Sequence, residues 1–259
     1  PEFHARRARA LVARIAKLGP TFVKLAQVFA ARADLIPEPY LSQLGTLTDR
    51  VPPVPWDAIE RELRSAYGEA PERTFTSIDR SPIAAASLGQ VHRATWRGRD
   101  VAVKVLRPGV EHTVERDLRS ARAITAWAAR RWPVPHVLGF QSLVEEFATR
   151  IAEEMDFRLE AEYATEVRGN FRGNPRVVIP EVMHELTRRR VLVLAFIDGR
   201  RVDRLPAGSV DAQRLAALVM EVYVQMMLVD GLFHADPHAG NLLFTADGRL
   251  VLLDFGMMV

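Results

Sequence analysis

The chain has 259 residues, 48% of them hydrophobic and 26% charged, which is enough apolar surface for a large core in two lobes. It contains no cysteine, which excludes disulfide staples and cysteine-based metal sites and allows a reducing compartment. The net charge of +3 comes with no nucleic-acid motif, no signal peptide and no apolar run of about 18 residues, so neither a nucleic-acid partner nor a membrane-spanning helix is expected.

From the start to about residue 70 the pattern is helical. Residues 1–50 carry 8 basic and 4 acidic side chains, against 27 and 28 in the remainder. The excess lies in a first helix bearing Arg6, Arg7, Arg9 and Arg14, which suits either an anionic membrane surface or plain solvation. Leu11, Ile15 and Leu18 fall at helical spacing, and Gly19-Pro20 breaks that helix. A second helix is predicted from about Thr21, with Phe22, Leu25, Val28 and Phe29 on its docking side and Lys24 and Gln27 as a polar pair. Asp34 to Pro39 reads as a turn, and Val51-Pro52-Pro53-Val54-Pro55 as a stiff linker.

Short β runs follow at Thr74 to Ile78, Gly89 to Trp96 and Asp100 to Leu106, with Arg97-Gly98-Arg99 as a hairpin turn. Between the first two stands Ala84-Ala85-Ala86-Ser87, where a kinase would carry a glycine-rich loop. Methyl groups there narrow the approach and favour a more fixed turn than glycine would. The bland alternative is a generic small-residue turn.

Two long helices are predicted over about 110–132 and 139–168, parted by Trp132 to Pro135. The second contains Glu154, Asp156 and Glu160; only the last two, four residues apart, share a helical face. Further β runs lie at Arg176 to Ile179 and Arg190 to Ile197, and Asp211 to Asp230 is a mostly apolar helix.

That helix leads into His234-Ala235-Asp236-Pro237-His238-Ala239-Gly240-Asn241, and Asp254-Phe255-Gly256 follows closely. Phosphoryl transfer needs Mg²⁺ on carboxylate and amide oxygens, a group to orient the acceptor, and a lysine on the phosphates. Asp236 suits the acceptor, and Asn241 and Asp254 suit the metal. A merely polar turn would have no use for Asn241 and Asp254 together. His234 and His238 lack a third partner for a metal site, so His234 reads as a structural loop residue.

Of the 35 basic residues only Lys17, Lys24 and Lys104 are lysines. A retained lysine in a chain of arginines points to chemistry that needs a compact ammonium rather than a guanidinium fork. Lys104 ends Val101-Ala102-Val103-Lys104, which matches the strand lysine of kinases. Lys17 reads as an ordinary solvated residue.

In this order, Lys24-Leu25-Ala26-Gln27, the Ala-rich loop, Lys104, Glu154 to Ala161, the His234 to Asn241 loop and Asp254-Phe255-Gly256 resemble the UbiB-type atypical kinases. That family is also called the aarF-domain or coenzyme-Q-biosynthesis kinase-like family, and the likeness runs from Leu18 to Gly256. It implies an α+β, bilobal protein-kinase-like fold with a helical N-terminal extension over the active site, ATP or ADP with Mg²⁺, and a role in isoprenoid-quinone or related lipid metabolism. By the same resemblance Glu160 pairs with Lys104, Glu154 and Asp156 contact the extension, and Phe196, beside the hinge position Ala195, meets the nucleotide. Two departures stand out: Ala26 replaces a glycine of the Lys-x-Gly-Gln motif, and Ala195 replaces a hinge glutamate.

The expected division is 1–73 for the extension, 74–197 for an N-lobe with inserted helices and 198–259 for part of a C-lobe. Asp236, Lys104 and Glu160 are the expected catalytic residues. Ala84, Ala85, Ala86, Ser87, Lys104, Phe196, Lys24 and Gln27 are expected at the nucleotide, and Asn241 and Asp254 at the metal. Lys24 and Gln27 are expected across the mouth of the site, where they restrict large acceptors. Expected partners are a nucleotide, a lipid or quinone precursor, a membrane surface and biosynthetic proteins. The expected setting is cytoplasmic, with peripheral or tethered membrane attachment through segments outside this chain, which reads as a piece of a longer one. Two other readings compete: a small-molecule phosphotransferase of the aminoglycoside or choline kinase type, which the Lys24 to Gln27 motif and the Ala-rich loop fit poorly, and a nucleotide-gated, lipid-binding pseudokinase scaffold.

Overall fold

The computed structural model describes residues 2–30, 36–47, 51–132, 135–205, 210–235 and 239–259. In chain order the elements are α1 (Glu2–Leu18), α2 (Pro20–Ala30), α3 (Tyr40–Leu44), α4 (Trp56–Tyr67), α5 (Pro71–Thr74), β1 (Ser77–Ile78), β2 (Ala84–Ala85), β3 (Gly89–Trp96) and β4 (Arg99–Leu106). Then come α6 (Val110–Arg131), α7 (Pro135–Glu154), α8 (Phe157–Asn170), β5 (Val177–Val178), β6 (Val191–Ala195), β7 (Arg200–Arg201), α9 (Val210–Gln225), β8 (Leu242–Phe244) and β9 (Leu250–Leu252). No helix among the described residues is long and apolar enough to cross a membrane.

The chain falls into two compact units. The first comprises residues 1–59, 84–90 and 106–152. Gly19, with φ of +117°, separates α1 from α2 in a backbone conformation that side chains disfavour. Val23 and Ala26 of α2 pack with Leu44 and Leu47, and Val12, Ile15 and Phe29 close around them. The buried side of α2 is thus Thr21, Val23, Leu25 and Ala26, whereas Phe22 and Val28 of the expected set stay half-buried. Ala26 is itself part of this cluster and 3% exposed. Phe29 also meets the Phe140 ring edge-on at 5.4 Å.

The second unit comprises residues 60–83, 91–105 and 153–259. One sheet runs in the order β1-β3-β4-β6, with β2 folded back on β3. Arg97 and Gly98, at φ of 49° and 75°, make the tight turn between β3 and β4. Period-2 alternation buries Val101, Val103 and Val105 and turns Ala102 and Lys104 to the opposite face. Antiparallel pairing sets Lys104 opposite Leu192 of β6. The other sheet runs β5-β9-β8-β7, and its β8–β9 hairpin pairs Leu242 with Leu252.

Three expectations change in detail. The helix predicted over 139–168 is two helices, because Asp156 leaves helical geometry and accepts from Arg158 N–H at 3.1 Å, capping α8. The run predicted from Thr74 starts instead as a helical turn over Pro71–Thr74, and only Ser77–Ile78 pairs as a strand. The last apolar helix ends at Gln225 and continues to Asp230 as a wider π turn, closed by Gly231 at φ of 67°. Residues 34–35 of the predicted turn and residues 133–134 of the predicted break lie outside the described residues.

Candidate active site

Strand alternation delivers Lys104 to the face where α8 presents Glu160. The Lys104 Nζ donates to both Glu160 carboxylate oxygens at 2.8 Å. Its third neighbour is Asp254 Oδ1 at 3.8 Å, and the Phe157 ring centroid lies 5.1 Å away. Glu160 is only 3% exposed, so this is a desolvated pair rather than a surface one. Asp254 Oδ1 accepts from Gly256 N–H at 3.0 Å, which fixes the carboxylate. A Cβ on Gly256 would lie 3.3 Å from Asp254 Oδ1, 3.5 Å from Glu154 Cγ and 3.7 Å from Glu160 Oε2. Three acidic side chains therefore border one bare backbone position.

Charge follows from that geometry. Burial pushes the Glu160 carboxyl up; Lys104 pulls it back, Asp254 and Glu154 push it further, and it settles at about 7. Burial works against the Lys104 ammonium, but Asp254, Glu160 and Glu154 outweigh it and hold the proton above the ordinary lysine range. One ammonium faces three carboxyl groups. Carboxylates are hard oxygen donors of the kind Mg²⁺ takes, but no group of three or more His, Asp or Glu side chains among the described residues is placed to hold a metal ion.

The loop between α9 and β8 is anchored at its start. Phe233 and Val259 exchange backbone hydrogen bonds at 3.0 Å, Ala235 N–H donates to Met257 O at 2.8 Å, and His234 bridges Met258. His234 is buried within this short ladder. Asp236 and His238 lie outside the described residues. Asn241 ends a short helical turn, and its carbonyl accepts from Leu253 N–H at 3.0 Å. The hairpin thus puts Asn241 beside the residue that precedes Asp254.

The remaining expected residues are distributed as follows. Phe196 donates its N–H to Asp100 O at 3.0 Å, and the Arg93 guanidinium covers its ring at 4.5 Å. Ala84, Ala85, Ala86 and Ser87 form a hairpin tip in the first unit, where Ser87 is 1% exposed and its Oγ has no hydrogen-bond partner. Lys24 and Gln27 lie on α2 in the same unit, and Gln27 Nε2 donates to Leu47 O at 3.1 Å. The described geometry therefore brings together Lys104, Glu160 and Asp254, each in the second unit.

Glu154 beside Gly256 was not singled out in the sequence for this position. Gln90 and Arg107 were not singled out at all, although Gln90 bonds the Val54 backbone of the linker and Arg107 the Ala86 carbonyl of the Ala-rich tip.

Residues 46–259 match the ABC1 atypical kinase-like domain. The chain is 36% identical over 258 residues to the uncharacterized protein slr0889 of Synechocystis sp., covering 94% of this chain and 63% of that one. It is 38% identical over 255 residues to the chloroplastic protein ACTIVITY OF BC1 COMPLEX KINASE 1 of Arabidopsis thaliana, covering 96% of this chain and 37% of that one. Among solved structures, Rv3197 of Mycobacterium tuberculosis, in its complex with erythromycin, superposes with a TM-score of 0.73 at 29% identity. That match covers 100% of this chain and 66% of the other. The chain thus spans between 37% and 66% of the length of these relatives.

Proposed function

The chain belongs to the ABC1/UbiB family of atypical kinase-like proteins, and from that premise we propose that it binds ATP with Mg²⁺ and hydrolyses it or transfers its terminal phosphoryl group in isoprenoid-quinone or related lipid metabolism. The observation that carries this reading is the Lys104–Glu160–Asp254 cluster, one ammonium among acidic oxygens. Glu160 holds the Lys104 ammonium by two oxygens and leaves its charge to face phosphate. Asp254 and Asn241 are the residues to hold Mg²⁺, which when bound offsets the crowding of phosphate and carboxylate charge. Asp236 orients the acceptor or a water. Ala84 to Ser87 cover the phosphates, and Phe196 packs near the base. Lys24 and Gln27 limit the acceptor to water or a small headgroup.

A lipid setting draws support from α1. Arg6, Arg7, Arg9, Arg14 and Lys17 are exposed there, together with Phe3, Leu11 and Leu18. A basic helix with exposed apolar side chains suits the headgroup region of an anionic membrane.

Calorimetric binding of ADP with and without Mg²⁺ tests the metal role. The wild type should bind far more tightly with Mg²⁺, and Asp254→Asn should remove most of that difference. Equal affinities under all four conditions would remove the metal assignment.

A further inference from the structure

The Ala-rich hairpin is held down in a way that a glycine-rich phosphate loop is not. Ala86 N–H donates to Gly89 O at 2.8 Å, and Leu88 at the tip is 6% exposed. Arg107, just past β4, takes two carbonyls of the tip. Its backbone N–H donates to Leu88 O at 2.7 Å, and its Nη1 donates to Ala86 O at 3.2 Å. Its Nη2 reaches the linker, donating to Pro52 O at 2.9 Å. Gln90, which is fully buried, pairs with the same linker two residues on: Oε1 accepts from Val54 N–H at 2.9 Å and Nε2 donates to Val54 O at 3.4 Å.

We infer that Gln90 and Arg107 form a clasp that fastens the Ala-rich tip to the Val51–Pro55 linker, so that the linker sets the position of the loop. The inference rests on the nucleotide-binding reading of that loop. All the clasped groups lie in the first unit, on three separate stretches of chain. The linker is suited to the part, because Pro52, Pro53 and Pro55 fix their own φ and restrict Val51, Pro52 and Val54 before them. It is a strap with little freedom of its own. The Ala86 and Leu88 carbonyls are both taken by Arg107. The buried Ser87 Oγ, without a hydrogen-bond partner, is a side-chain polar group of the tip left over for a ligand. A loop of this kind binds phosphate without first paying to become ordered, and the linker, which follows α1 to α3 in the chain, becomes the point from which its order is controlled. Gln90 and Arg107 are positioning residues.

The test uses the full chain with MgADP as the probe. Arg107→Ala opens the clasp on both sides, and Arg107→Lys keeps the charge but cannot span Ala86 O and Pro52 O. Both variants should weaken MgADP about tenfold, as expected if the ordered loop falls to about a tenth of the population. Both should also speed hydrogen exchange at the Val54 amide and at residues 84–90 together, with α8 unchanged. Gln90→Glu, isosteric but unable to donate to Val54 O, should do the same to exchange. Pro53→Gly, which touches no clasp atom, should loosen residues 84–90 through the linker alone. Wild-type affinity in Arg107→Lys would overturn the inference, because charge would then suffice. Faster exchange in residues 84–90 without change at Val54 would overturn it too. If the wild type binds no MgADP, the nucleotide reading fails, while the exchange data still decide whether the clasp exists.

Discussion

Lys104 holds its ammonium between two oxygens of one carboxylate, 2.8 Å from each, and that symmetry sets what a substitution there does. Lys104→Arg keeps the charge but replaces a point donor with a wide fork in a buried pocket. Turnover should fall about a hundredfold, the scale on which a lost electrostatic donor acts. The thermal midpoint should move by only about 2–4 °C if the ion pair re-forms at a cost near 1 kcal/mol. Steady-state ATP hydrolysis and a melting curve check both, and wild-type turnover in the variant would remove the phosphate role. The partnership of Lys104 with Glu160 was legible because arginine is used almost everywhere else and because the family likeness named the partner. The Glu154 position was not legible, since its neighbour there is the bare backbone of Gly256. Nor were Gln90 and Arg107, whose side chains bond backbone groups of distant residues rather than a complementary side chain.

At the level of single elements, β3 carries a fully buried imidazole. His92 Nδ1 lies 2.7 Å from Asp79 O and donates to it as the neutral tautomer. Burial pushes its pKa below the ordinary 6.5, against a weaker upward pull from that hydrogen bond and the Asp79 charge. The unfolded chain therefore takes up this proton at a higher pH than the folded one. Stability is full above pH 6.5 and declines below it, until the folded imidazole protonates as well. His92→Gln should flatten that acid-side slope, whatever it does to the overall level. Denaturant midpoints measured between pH 5 and 8 decide, and an unchanged slope would mean that other groups set it. Elements were legible wherever one period ran unbroken: β3 and β4 lie within a residue of where alternation put them. The α7–α8 break was not, because apolar spacing continues through Met155 and Phe157 and only the Asp156 cap marks the stop.

Across the whole chain, Lys24 and Gln27 separate two ideas about α2. The Gln27 amide already bonds Leu47 O, so Gln27→Ala should cost about 1 kcal/mol of stability whether or not α2 acts as a lid. Lys24→Ala is the discriminating change. As a lid residue it should alter nucleotide preference or raise autophosphorylation with the melting curve unchanged. At a merely solvated position it should shift stability by no more than about 0.5 kcal/mol and leave catalysis alone. The α+β class and the order of helices and strands were legible, because each local period announces its own element. The stitching of linker, hairpin tip and β4 exit was not, because backbone groups far apart in the chain carry it.

The ladder between Phe233–Ala235 and Met257–Val259 bears on motion as well as on architecture. It joins the segment just before Asp236 to the segment just after Gly256 by three backbone hydrogen bonds. If each is worth about 1 kcal/mol, parting the two strands costs about a hundredfold in population. The two loops then share one hinge. Any swing of Asp254 that carries residues 257–259 must take residues 233–235 with it, so the two segments move together.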